Sequence, residues 1–216
     1  FNEDIGNWNV HNVTRMTKMF TEANLFNGDI GNWDVSNVLN MYEMFYDAHV
    51  FDKDIGRWKV SKVKNMQGMF INAKEFNQDI SGWDVSEVNW MGYMFRGCEN
   101  FNKDIGDWDV SSVNDMQFMF SETTNFNQDL NKWDVSSVTN LERTFMNAGA
   151  FNTDLSGWDV SKVESFMGTF RYMNTANDIK PIFNGDISSW NTGNATLMSG
   201  MFLGNEEFNR YIGGWD

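Results

Sequence analysis

The chain has 216 residues, 41% hydrophobic and 16% aromatic, with a formal net charge of −14 and a single cysteine, Cys98. That apolar content excludes a disordered acidic chain, and the negative balance argues against nucleic acid and anionic lipid, which both demand clustered Lys and Arg. One cysteine leaves no internal disulfide, and no stretch reaches the ~20 apolar residues of a membrane-spanning helix.

The first element is a phrase that returns. "FNEDIGNWNV" at residue 1 reappears as "FNGDIGNWDV" at 26 and "FNKDIGDWDV" at 101, and its leading Phe falls at 1, 26, 51, 76, 101, 126, 151, 183 and 208. The step is 25 residues, except for one of 32 that contains an insertion at 176–182. Self-similarity at such a period marks a solenoid, whose units cannot bury their apolar face alone. The expected organisation is one solenoid over 1–216, a fragment of a longer protein, since the chain starts without Met and stops inside a unit.

Each unit opens on a corner. Asn recurs at the second position and Asp at the fourth, where short polar side chains are expected to bond backbone N–H groups of their own turn and of the next coil. A strand follows: Ile5, Trp8 and Val10 have an L-x-x-L-x-L spacing, with the alternation a short strand requires. Ser at the eleventh position (Ser36, Ser61, Ser86, Ser111, Ser136 and Ser161) is placed as a helix N-cap. Val13, Met16, Met19, Phe20 and Ala23 then share one helical face, and the Trp and Met columns read as core. Parallel strands lie ~4.8 Å apart and helices roughly 8–10 Å apart, which puts the helices on the longer arc. The predicted fold is a right-handed α/β horseshoe, with short parallel strands on its concave face and short helices on its convex face.

Phrases such as "DISGWDVSEVNWMGYMF" and "DIGNWDVSNVLNMYEMFYDA" resemble the BspA-like leucine-rich repeats, in their Mycoplasma-type form of unknown function. The resemblance covers essentially the whole chain. It implies a leucine-rich-repeat solenoid of bacterial surface proteins, an extracellular or cell-surface location with any signal or anchor outside this stretch, and a role in adhesion. It carries no catalytic residues. The BspA repeat has Cys where this chain usually has Ala, so Cys98 is read as core.

Candidate contact residues come from the outward positions. Alternation around the inward Trp exposes the ninth position, whose column includes Lys59, Asp84, Asp109, Asp134 and Asp159. Successive carboxylates repel one another, so hydroxyls, amides, a basic partner or a cation must offset the charge. Asp84, Asp109, Asp134 and Asp159 are thus weak calcium candidates, although a single file offers few ligands per ion. With the variable seventh position, which supplies Arg57 and Asp107, this column would form an acidic concave face for a basic protein patch or a polysaccharide. Trp90 stands at a variable helix position, and the segment "RYMNTANDIKPIF" brings Tyr172 and Pro181; specificity in solenoids tends to sit in such places. His11 and His49 lie in different units and no catalytic motif appears, so neither enzyme nor cofactor is expected. The reading is a noncatalytic recognition or adhesion module. A structural spacer or assembly subunit comes second, and a calcium-dependent module third.

Overall fold

A computed structural model describes residues 1–173 and 180–215. Each unit forms one coil, and equivalent residues of successive coils lie over one another. A file of single parallel bridges runs through the fifteenth position, from Arg15 to Asn40, Asn65, Trp90, Asp115, Asn140, Ser165 and Leu197. Phe51 stacks on Phe76 with ring centroids 6.1 Å apart, and Trp83 on Trp108 at 6.4 Å.

The expected α/β horseshoe of leucine-rich-repeat type does not form. Among the described residues there is no helix, and the only strand-like pairing is that file of isolated bridges. The apolar face read as helical is nevertheless buried: Val38, Met41, Met44, Phe45 and Ala48 are all fully enclosed. The backbone reaches that arrangement through consecutive turns. Met44 N–H donates to Met41 O at 3.1 Å, Tyr46 N–H to Glu43 O at 3.2 Å and Ala48 N–H to Phe45 O at 3.0 Å. The intervening amides leave the coil altogether: Glu43, Phe45 and Asp47 donate to Gln67, Met69 and Ile71 of the next coil at 2.8–3.0 Å. Glu43 and Asp47 have φ of 50° and 55°. A positive φ at the third turn residue is the mark of a type II turn, and it is incompatible with an α-helix.

Packing explains the choice. Phe45 stacks on Phe70 at 5.6 Å, within the very segment read as helical. Packed helices need about 8–10 Å between axes, so a helix in every coil would pull this aromatic column apart. Two successive four-residue turns that point their first and last residues inward bury the same positions as one helix face.

The segment read as a strand changes role as well. Trp108 N–H closes a turn onto Ile105 O at 3.1 Å, and Val113 N–H another onto Val110 O at 2.9 Å. Ser111 is no N-cap. Its N–H and hydroxyl both donate to Asp109 Oδ1, at 3.1 and 2.6 Å, so the carboxylate caps the serine's turn.

Side chains tie this half of each coil to its neighbours. Every second-position Asn or Asp accepts the N–H of its counterpart one coil on, as Asn77 Oδ1 does from Asn102 at 3.1 Å and Asp52 Oδ1 from Asn77 at 2.9 Å. The eighth-position indoles from Trp33 to Trp215 donate backwards, as Trp58 Nε1 does to Ile30 O at 3.1 Å. The fourth-position Asp mostly caps its own corner, for example Asp104 Oδ1 accepting from Gly106 at 2.9 Å.

Departures from the repeat are accommodated. Thr144 and Thr169, which replace core Met, are fully enclosed and donate to Met116 O and Leu141 O at 3.0 Å. Cys98 is buried with Sγ 2.9 Å from Phe70 O, and burial pushes its thiol well above the ordinary range. Of the insertion, residues 176–179 lie outside the described residues, yet the flanking coils remain in register: Asn184 N–H reaches Asn152 Oδ1 at 2.6 Å and Trp190 Nε1 reaches Leu155 O at 2.9 Å. Among the described residues no helix is long and apolar enough to cross a membrane.

Candidate functional site

The seventh and ninth positions do face outward. Arg57, Lys59, Asp84, Asp107, Asp109, Asp134 and Asp159 are all exposed, between buried Trp and Val residues. They line no concave sheet, because none forms among the described residues. Asp84, Asp109, Asp134 and Asp159 each accept the N–H of the serine two residues on, at 3.0–3.2 Å. Those bonds, with the serine hydroxyl as the larger influence, hold the carboxyls of Asp109 and Asp159 below the usual carboxylate range. The donors that offset the column's charge are therefore internal. Asp107 pairs with Lys132 at 3.1 Å. Among the described residues no three His, Cys, Asp or Glu side chains converge on a point that could hold a metal, so calcium gains no ligand set here.

The other sequence candidates separate. Trp90 is exposed, and it stands at the fifteenth position between Asn65 and Asp115. Asn65 and Asp115 bond the amide two residues on at 2.8 and 2.9 Å, which an indole cannot do. Tyr172 is half-buried, its backbone N–H bonded to Leu203 O at 2.7 Å. Pro181, the other contact candidate of that segment, is buried, which removes it as a contact residue.

The turn face holds a cluster that the sequence reading missed. The eighteenth position takes a positive φ in the eight coils that reach it, Lys18 and Glu43 among them, and none of its side chains belongs to the buried core. Gly68, Gly168 and Gly200 occupy it with φ of 64–65°. Three central coils instead carry Tyr93, Phe118 and Arg143, at φ of 62°, 55° and 52°. This backbone costs a residue with a Cβ roughly 1–2 kcal/mol, so the large side chains are held there against a local penalty.

They form one outward stack. The rings of Tyr93 and Phe118 lie 4.7 Å apart and 11° from parallel. The guanidinium groups of Arg143 and Arg96 lie 5.2 and 5.5 Å from the Phe118 centroid, within cation–π reach. Arg143 pairs with Glu142 at 2.7 Å and Arg96 with Glu122 at 3.4 Å. On the other side of Tyr93, Gly68 interrupts the stack and leaves a hollow of about 240 Å³, bounded by Tyr42, Glu43, Gln67, Ile71, Tyr93 and Arg96. Glu43 there pairs with Lys18 at 3.0 Å, and its hydrogen bond with Tyr42 raises that phenol. The available signal was an aromatic at a position where other units have Gly and which belongs to no core column.

A family model described as "Mycoplasma protein of unknown function, DUF285" matches residues 1–98, 76–181 and 172–216. No curated protein and no solved structure matches the chain. With the matches running over all nine units, the chain belongs to the DUF285 family.

Proposed function

We propose that the chain is a noncatalytic recognition module, displayed at a cell surface, that engages a protein partner through the turn face carrying Tyr93, Phe118 and Arg143. The observation behind this reading is the pair of aromatic rings kept at positive φ outside the core. Three other coils place Gly at that position and two place the polar Lys18 and Glu43, whereas these two coils give it to aromatic rings. Strain retained away from the core points to selection for something other than folding, and half-buried Tyr and Arg on one face have the composition of an interface hot spot. The resemblance to BspA-like surface proteins supports display and adhesion.

Adhesion of beads coated with the chain to host cells tests the reading. Tyr93→Ala with Phe118→Ala abolishes adhesion, whereas Asp109→Ser with Asp134→Ser leaves it intact. The reverse pattern moves the contact to the polar face and sinks the proposal.

A structural spacer is the second reading. Its support is the direct stacking of the Phe and Trp columns from coil to coil, and concentration-dependent polymers in sedimentation would favour that role.

A further inference from the structure

We infer that the hollow at Gly68 is a receptor for an arginine side chain presented by the partner, a conclusion that rests on the recognition reading above. The column at the eighteenth position runs Lys18, Glu43, Gly68, Tyr93, Phe118, Arg143. Three of its five neighbouring pairs join two large side chains, but Gly68 leaves a missing rung between a carboxylate and a ring. Tyr93 has Phe118 on one side and the hollow on the other.

The protein shows which group suits such a gap. One coil beyond Phe118, Arg143 lays its guanidinium over the ring and pairs with Glu142 at 2.7 Å. A partner guanidinium entering at Gly68 meets the same two features, the free face of Tyr93 and the carboxylate of Glu43. A planar guanidinium both stacks and bonds a carboxylate, which a lysine ammonium does less well. Glu43 keeps capacity beyond its bonds to Lys18 and Tyr42, since a carboxylate accepts about four hydrogen bonds. Arg96, at the edge of the hollow, is engaged by Glu122 and Phe118. The net charge of −14 steers a basic partner toward the chain.

The slot depends on the glycine. A Cβ at Gly68 would lie 3.0 Å from both Glu43 Cγ and Ile71 Cδ1, narrowing the opening, on a backbone with φ of 65°.

The test is an NMR titration of the intact chain with three blocked tripeptides, Gly-Arg-Gly, Gly-Lys-Gly and Gly-Tyr-Gly. The arginine peptide shifts the Gly68 amide and the Tyr93 ring saturably and binds about fivefold tighter than the lysine one, the scale of a stacked cation. Glu43→Gln, which keeps the size of a side chain only 18% exposed and removes its charge, removes that preference, and Gly68→Ala blocks the shifts. No saturable shift at Gly68, equal binding of lysine, or tighter binding of tyrosine overturns the inference. Loss of bead adhesion on Tyr93→Ala would then still stand, so the face can survive while its arginine specificity fails.

Discussion

Trp108 donates its indole N–H to the carbonyl oxygen of Ile80, one coil back, at 3.2 Å. The same oxygen accepts the backbone N–H of Trp83 at 3.0 Å, so a single carbonyl joins a turn to the next coil's core ring. The arrangement recurs from Trp33 to Trp215. Trp thus serves as both packing unit and staple.

Replacing Trp108 by Phe keeps a stacked ring, and removes the donor together with part of the buried indole. Because Ile80 O retains its turn bond, the lost donor costs about 1 kcal/mol, and the smaller ring adds about another 1 kcal/mol. Trp108→Ala also opens a cavity and is expected to cost about 3–5 kcal/mol. Urea unfolding followed by fluorescence separates the two; equal losses would show that the retained ring contributes nothing, and no loss for the Phe variant would show that the indole bond contributes nothing.

The second-position ladder is expected to depend on an acceptor rather than on Asn itself. Asn102→Ala strips the partner from Asn127 N–H, bonded at 3.0 Å, and costs about 1 kcal/mol. Asn102→Asp keeps the acceptor, as Asp52 does naturally, and leaves the urea midpoint nearly unchanged. A large loss for the Asp variant would contradict this account of the ladder.

Left-handed turn positions give a paired comparison. Gly200 has φ of 64° and open space, its added Cβ lying 3.7 Å from the nearest atom. Gly200→Ala therefore isolates the backbone penalty, about 1 kcal/mol or slightly more. Gly82 has nothing within 4 Å and no positive φ, so Gly82→Ala is neutral or stabilising by about 0.4–1 kcal/mol. Melting temperatures of the two variants should move in opposite directions.

Acid should weaken the stack. Serine hydroxyls and amides lower the carboxyls of Asp79, Asp109 and Asp159 in the folded chain. The unfolded chain then binds more protons, so this contribution is complete above the unfolded value, about 3.9, and fades as pH falls through the folded values. Urea midpoints should drop below about pH 4. Asp109→Asn, which keeps an acceptor but not a charge, should flatten that drop; an unchanged slope would remove Asp109 from the explanation.

Much of this was legible in the amino acids, and the failures were specific. The columns of Phe, Trp and Met announced the coil and its core, because a side chain's polarity reports burial wherever the backbone runs. Exposure of Lys59 and Asp109 followed from simple alternation. Conformation was another matter: Met41, Met44, Phe45 and Ala48 satisfy one helix face and two successive turns equally well, and apolar spacing says nothing about where amides bond. The discriminating clue lay in residues between them. Gly68, Gly168 and Gly200, with Asp47, Asn72, Gly97 and Asn147, place residue types that tolerate positive φ in the middle of the supposed helix. Tyr93 and Phe118 were hidden by the opposite effect, since bulky rings at such positions run against the propensity that marks them.

The most direct test of the fold is a through-hydrogen-bond scalar coupling measured by NMR at Phe95. The account predicts a cross-peak from the Phe95 amide to the carbonyl carbon of Met119 in the next coil, its acceptor at 3.0 Å. A cross-peak to Met91, four residues earlier in the same coil, would restore the helix and contradict the turn-built solenoid.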